Sequence, residues 1–181
     1  MTHIIQNILS LDQYLNDLRG TIKFSYIFKP LYCPHCHKRG CLWSHGHYNR
    51  KADRQGHPSL NPIPIFRFYC HLCHHTCSVL PECIAPRRWY LWQTQEDCLK
   101  AFFNGDKAQR IEKQFPPSRQ TVMRWLHWAF DRFKEFRLDI QSRFSVLGYE
   151  NEAFGWWKTL LQKISLSATM VILNRMGVNV P

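Results

Sequence analysis

Several features that define whole classes of protein are missing from this chain of 181 residues. No segment approaches the ~18 consecutive apolar residues of a membrane-spanning helix, which argues against a spanning protein. The 8 glycines and 10 prolines are too few for a collagenous or low-complexity chain, and a hydrophobic content of 45% suffices for a core. The first ten residues carry no cationic cluster ahead of their short apolar run, so we expect no secretory leader and a cytoplasmic location.

Acidic side chains are scarce as well. Aspartate and glutamate number 13 against 24 lysines and arginines, which leaves a formal net charge of +11. A surplus of this size favours an anionic partner, and nucleic acid is the first candidate. No membrane partner is expected.

The composition changes along the chain and predicts an α+β protein. Within residues 1–28, apolar side chains at helical spacing follow Ser10, which can cap a helix, and precede Gly20, which can end one. Residues 29–86 are rich in cysteine, histidine and proline and have no helical period. Two short runs there, 42–48 and 65–69, predict strands.

The second half of the chain is helical in pattern. We expect one segment over residues 87–144 and another over residues 145–181, with helices near 93–103, 106–114 and 119–144 and one or two more within 153–176. The pairs Asn104-Gly105 and Pro116-Pro117 separate the first three, because proline lacks the amide that continues a helix.

Two Cys-x-x-Cys pairs are the strongest chemical signal in the sequence. Cys33 and Cys36 form the first, and Cys70 and Cys73 form the second. Two tight turns of this kind supply four thiolates in a tetrahedron, which is the arrangement of a structural Zn²⁺ site. We therefore predict a zinc ribbon of short antiparallel strands over residues 29–86, with one zinc ion contributing ~10 kcal/mol or more to its folding. Buried cysteines that bind no metal are the alternative. A redox role is less favoured, because no βαβ pattern surrounds either pair.

The remaining four cysteines are ambiguous. Cys41, Cys77 and Cys83 lie near enough in sequence to act as ligands or to support a second site, although such cysteines are more often small buried hydrophobes. Cys98 falls within a helical pattern and is expected in the core. The role of the first three stays open at this point.

Catalytic zinc is not indicated. Zinc deaminases combine His-x-Glu with Pro-Cys-x-x-Cys, but here Tyr32 precedes Cys33 and no His-x-Glu or His-Glu-x-x-His occurs. No nucleophile–base pair or phosphate loop is recognisable either. We expect a protein that is not an enzyme.

A helix-turn-helix is the second signal. Ile111, Phe115, Val122 and Leu126 fall where two crossing helices would share a small core, and Ser118 can cap the second helix. Just inside that cap, four side chains would face the major groove of double-stranded DNA: Arg119, Gln120, Thr121 and Arg124. An ordinary helical hairpin with solvated arginines fits the same spacing. The pattern resembles the helix-turn-helix of transposases and resolvase-like regulators, although Glu112 replaces the usual small residue and Pro116-Pro117 occupy the turn.

The second helix of this pair is predicted to be long and to carry a heptad-like apolar stripe. Its members are Val122, Leu126, Ala129, Phe133, Phe136 and Ile140. The stripe suits a homodimer through the long helix, but packing against C-terminal helices that carry Trp156 and Trp157 is the favoured interpretation.

The two signals together resemble a known family. Residues 33–36, 42–48, 65–73, 76–81 and 86–90 are similar to a bacterial zinc-ribbon domain of unknown function that is associated with insertion-sequence transposases. In this chain His37 and His74 replace the glycine that often follows each pair, and Cys77 replaces a phenylalanine. The resemblance implies DNA recognition in mobile elements. The few carboxylates after the helix-turn-helix fall in helical or loop patterns without a series of strands, so we expect no RNase H-like catalytic domain.

A zinc-dependent DNA-binding protein is thus the leading hypothesis. The helix after Ser118 would read bases, and the ribbon would hold phosphates through Lys38, Arg39, Arg50, Lys51 and Arg54. A protein-interaction module and an RNA-binding module are the alternatives. For RNA, four aromatic side chains could stack on unpaired bases if they are exposed: Trp43, Tyr48, Phe66 and Phe68.

Overall fold

A computed structural model describes residues 2–5, 10–19, 28–51, 61–86 and 89–178. The chain divides into two compact units, Met1–Tyr90 and Leu91–Val180. Within the described residues, the first unit contains the sheet and one helix, and the second is helical. The predicted α+β class is confirmed at this level.

The sheet of the first unit has four strands in the order β1-β4-β3-β2. Strands β2 and β3 correspond to the two predicted runs and pair antiparallel, as do β3 and β4. Strand β4 and strand β1, which pairs with β4 in parallel, were not predicted. A four-residue strand is too short to show a periodicity in the sequence, and only its pairing with a distant strand defines it. The strands are β1 (Thr2–Ile5), β2 (Leu42–Arg50), β3 (Ile63–Cys70) and β4 (Thr76–Pro81).

Strand β3 ends at the first cysteine of the second pair, and strand β2 begins six residues after Cys36. Leu42 pairs with Cys70, and Arg50 pairs with Ile63 at the other end. The register shifts between Ser44 and His47, around a glycine at φ 76°. This bulge bends β2, which lies at the edge of the sheet and is exposed along most of its length.

The predicted N-terminal helix is present as α1 (Leu11–Arg19). Ser10 caps it, because its hydroxyl accepts the Gln13 amide at 3.1 Å. Tyr14 is buried, and its hydroxyl donates to the Pro64 carbonyl at 2.8 Å. The Tyr14 ring contacts Phe28, which stacks on Phe66 with 5.6 Å between ring centroids. The helix therefore docks on strand β3, as expected from its apolar spacing.

The second unit contains the predicted helices with small shifts at their ends. They are α2 (Trp92–Phe103), α3 (Ala108–Gln114), α4 (Arg119–Gln141), α5 (Ala153–Lys163) and α6 (Leu166–Arg175), with a 3₁₀ turn at Ser145–Tyr149. None of the helices in the described ranges is long and apolar enough to cross a membrane.

The stripe on α4 is buried within the unit. All six of its apolar members are buried. The Trp157 indole donates to the Ala129 carbonyl at 2.8 Å, and Phe133 packs edge-on against Trp156. The favoured interpretation, packing against C-terminal helices, is confirmed. A homodimer through the same stripe would first have to pull these contacts apart.

Candidate metal centre and nucleic-acid surface

The two Cys-x-x-Cys turns have the same backbone structure. In the first, the Cys33 amide donates to the Lys38 carbonyl at 3.0 Å, and the His37 amide donates to the Cys33 carbonyl at 2.9 Å. In the second, the Cys70 amide donates to His75 and the His74 amide donates to Cys70, both at 2.9 Å. Each turn thus folds back on its own first cysteine, and both sulfurs of the pair point to one side.

A left-handed residue closes each turn. His37 has φ 57° and His74 has φ 58°, and they are the two non-glycine residues of the described chain with positive φ. Glycine adopts this conformation without steric cost, which explains why it is usual at these positions. In the second turn, His74 Nδ1 lies 2.6 Å from the Tyr69 hydroxyl, and this hydrogen bond helps to hold the histidine there.

The four sulfurs of Cys33, Cys36, Cys70 and Cys73 form one cluster and could hold a metal ion. All four lie within 4.8 Å of one another. Two distances between the turns, Cys33 to Cys73 and Cys36 to Cys70, are both 3.7 Å. Thiolates at ~2.3 Å from a tetrahedral Zn²⁺ would lie about 3.8 Å apart, so the cluster fits the size of that ion. Each turn supplies two of the four sulfurs, and the fit depends on the short distances between the two turns.

The electrostatics of the cluster depend on burial and on local hydrogen bonds. Burial raises the pKa of the Cys70 thiol, but hydrogen bonds from the Cys73 and Leu72 backbone and from the Cys41 side chain outweigh it and lower the pKa to about 6. Burial raises the pKa of Cys73 to about 12. A metal ion bound here would therefore displace at least one proton at neutral pH.

Cys41 is the nearest cysteine outside the cluster. Its sulfur lies 3.4 Å from that of Cys70 and 3.1 Å from the Lys38 carbonyl oxygen, and its one thiol proton can be donated to either acceptor but not to both. Burial raises the pKa of Cys41 to about 12, which keeps it a neutral thiol. It is placed to support a ligand through a weak hydrogen bond, and it does not belong to the group of mutually close sulfurs.

The other three cysteines are buried free thiols. Burial raises the pKa of Cys77 to about 11 and the pKa values of Cys83 and Cys98 to about 12. Among the described residues, no second group of three or more ligand-type side chains comes together. These thiols are small apolar side chains in the core.

The predicted phosphate contacts of the ribbon divide into two kinds. Lys38, Arg39 and Lys51 are exposed. Arg50 is half-buried and donates to the Ala85 carbonyl at 2.6 Å, so it ties β2 to the segment after β4. A phosphate contact through Arg50 would have to compete with this hydrogen bond, and its role stays a prediction. Arg54 lies outside the described residues.

The predicted base-reading residues lie at the start of α4. Arg119, Gln120 and Arg124 are exposed, and Thr121 is half-buried. The Arg124 guanidinium donates to the Gln120 carbonyl at 3.3 Å and reaches the Thr121 hydroxyl at 3.5 Å. The side chain therefore lies along the first turn of its own helix.

Ser118 precedes α4, as predicted, but its side chain does not cap the helix amides. Its hydroxyl lies 3.2 Å from that of Thr121. Instead, the Glu112 carboxylate on α3 accepts the Arg119 amide at 3.0 Å. A carboxylate at a helix N-terminus is favourable, because the free amides and the helix dipole are positive there. The residue that departs from the usual pattern thus joins the two helices directly.

A basic row on α3 and the residue that precedes it was not predicted from the sequence. Lys107, Arg110 and Lys113 are exposed at intervals of three residues and line a surface recess of about 430 Å³. Arg110 also pairs with Asp106 at 3.3 Å. The spacing itself was the available signal, since residues three apart share a helix face.

The family comparison adds one finding to this geometry. The family model of a domain of unknown function, DUF6431, matches residues 33–125, just over half of the chain. The matched range runs from the first cysteine of the cluster to the first turns of α4. No curated protein and no solved structure matches the chain.

Proposed function

We propose that the chain, which belongs to the DUF6431 family, is a zinc-dependent protein that binds double-stranded DNA. Zn²⁺ would be held by Cys33, Cys36, Cys70 and Cys73, and the first turns of α4 would enter the major groove. The observation that carries the proposal is the exposed start of α4, where Arg119, Gln120 and Arg124 stand on a helix packed against α3.

Packing between α3 and α4 supports a helix-turn-helix. Ile111 on α3 and Val122 and Leu126 on α4 are buried, and Pro116-Pro117 lie in the turn. The apolar contacts and the Glu112 hydrogen bond hold the start of α4 in a defined place. A reading helix needs this rigidity, because bidentate contacts to guanine or adenine require precise placement.

The distribution of charge supports a nucleic-acid partner. In a helix-turn-helix the first helix crosses the phosphate backbone, and here that helix and its N-cap residue carry the row of Lys107, Arg110 and Lys113. The ribbon would add Lys38, Arg39 and Lys51. The resemblance of residues 33–90 to transposase-associated ribbons supports the further proposal that this is the DNA-recognition region of a transposase-like protein.

The experiment compares two arginines at opposite ends of the same helix. Arg124 lies in the proposed reading turn. Arg143 is exposed two residues past the end of α4, and that end lies about 25 Å along the helix from Arg124 at ~1.5 Å per residue. A binding site is first selected from a randomised duplex library with the zinc-loaded chain. Affinities of both alanine variants are then measured for the selected and a random duplex over a range of salt concentrations.

We expect steep weakening with salt and a loss for Arg124→Ala of about 5- to 150-fold on the selected site, with a smaller loss on random duplex. Arg143→Ala should bind as the parent does. Lys51→Ala should weaken both duplexes alike. Absence of duplex binding at low salt, or equal losses for the two arginines, would refute the proposal and favour a protein-interaction role.

A further inference from the structure

An aromatic row lies on the ribbon beside the cysteine turns. Trp43 on β2 is 60% exposed and stacks on His71, with 5.0 Å between ring centroids and 25° between ring planes. Tyr69 lies directly opposite Trp43 in the register, and His45 and His74 both contact the Tyr69 ring. We call Trp43, His45, Tyr69, His71 and His74 the aromatic row.

The row is not part of the core of this unit. The core side chains of β3 are Ile63, Ile65 and Phe68, all fully buried. Tyr69 and His71 are half-buried, and His45 and His74 are exposed. One face of the Trp43 ring rests on an imidazole, which leaves the other for a flat partner. A large apolar side chain held in this way presents a surface for stacking.

The positive charge of the surrounding segments favours an anionic partner for the aromatic row. Residues 28–51 and 61–86 contain six lysines and arginines and one carboxylate, Glu82, which is only 8% exposed. Arg67 lies two residues from Tyr69 and so on the same face of β3, while Lys38 and Arg39 are exposed on the first cysteine turn. These cations lie on the first cysteine turn and on β3, and residues 28–51 and 61–86 carry no exposed carboxylate.

We propose that the aromatic row binds unpaired bases of single-stranded DNA, with the phosphates held by Lys38, Arg39 and Arg67. Bases within a duplex are already stacked, so only an unpaired base can cover the free face of Trp43. Aromatic stacking together with a basic border is the usual means by which proteins hold single strands without strong sequence preference. The choice of DNA over RNA rests on the proposed function, whereas the stacking surface itself does not.

Tyr48, Phe66 and Phe68 are not part of this site. Phe66 and Phe68 are buried, which excludes them from stacking on a base. The RNA-binding alternative, which needs these two rings to be exposed, loses them. Tyr48 is exposed, but it pairs with Ile65 near the opposite end of the hairpin from Trp43. The bulge between Ser44 and His47 separates the two aromatic residues.

The test uses two tryptophans of equal exposure in the same unit. Trp89 is 61% exposed and lies outside the row, so Trp89→Ala is the matched control for Trp43→Ala. Binding of labelled oligo-dT and oligo-U of 15 nucleotides is measured by fluorescence anisotropy with the zinc-loaded full chain. Zinc content and the thermal transition of each variant verify that it is folded.

We expect Trp43→Ala to weaken oligo-dT binding by about 5-fold or more and Trp89→Ala to leave it unchanged. Arg67→Gln should make the fall of log affinity with log salt less steep by about 0.7, because one phosphate contact is lost. Equal effects of the two tryptophan variants, or no binding of oligo-dT, would overturn the proposal. Tighter binding of oligo-U would overturn the assignment to DNA.

The experiments can refute the proposal of duplex binding through α4 and the proposal of single-strand binding through the aromatic row independently. A chain that binds oligo-dT through Trp43 but binds no duplex supports the aromatic row and refutes the reading role of α4. A chain that binds duplex through Arg124 while its oligo-dT binding ignores Trp43 refutes the aromatic row alone.

Discussion

Replacing Cys36 or Cys41 by alanine separates a metal ligand from its neighbour. Both sulfurs lie close to that of Cys70, at 3.7 Å and 3.4 Å respectively. Only Cys36 belongs to the group of four sulfurs that all lie within 4.8 Å of one another. Cys41 is therefore nearer to the Cys70 sulfur than Cys36 is. Cys36 is nevertheless the expected metal ligand, because only Cys36 belongs to the group of four.

The expected losses differ widely. Structural zinc binds with an apparent free energy of ~10–16 kcal/mol, so an equal share for each of four thiolates is ~2.5–4 kcal/mol. Cys36→Ala should therefore weaken zinc binding by about 10²- to 10³-fold. Cys41→Ala removes a small buried side chain and a weak hydrogen bond to a ligand, so we expect less than about a tenfold loss.

Zinc affinity is measured by competition with a chromophoric chelator, and the ligand number is read from the absorption spectrum of the Co²⁺-substituted chain. Charge-transfer intensity should correspond to four thiolates in the parent and in Cys41→Ala, and to three in Cys36→Ala. If Cys41→Ala loses as much affinity as Cys36→Ala, or reduces the thiolate signal, the four-cysteine assignment is wrong.

Two further predictions follow from the same geometry. Because the pKa of Cys73 is raised to about 12, its proton must leave when a metal binds, so zinc affinity should rise with pH between about 6 and 8. Calorimetry in buffers of different ionisation enthalpy counts the released protons, and a pH-independent affinity would contradict this. Glu112→Ala should lower the unfolding free energy by about 1 kcal/mol, whereas Ser118→Ala should cost less, since the carboxylate and not the hydroxyl accepts the helix amide. Thermal melts of both variants test this order, and a larger loss for Ser118→Ala would reverse it.

The sequence was enough to predict those parts of the candidate site that depend on residues close together in the chain. Two cysteines separated by two residues already define a turn with converging sulfurs, so the cluster of four followed from spacing alone. The apolar stripe of α4 has a period of a helix, and its burial followed from that period. The first exposed turn of α4 likewise follows from a proline pair before a helical pattern.

Features that depend on distant segments were decided only by the tertiary structure. Strand β1 exists through its pairing with β4, more than seventy residues away. The bend of β2 and its neighbours turn Arg50 toward Ala85 and leave Trp43 at the surface, although both lie on one strand. Both side chains lie on one face of the sheet, because their partners Ile63 and Tyr69 are six residues apart on β3. The alternation of the strand therefore cannot show that this face meets Ala85 at Arg50 and stays exposed at Trp43.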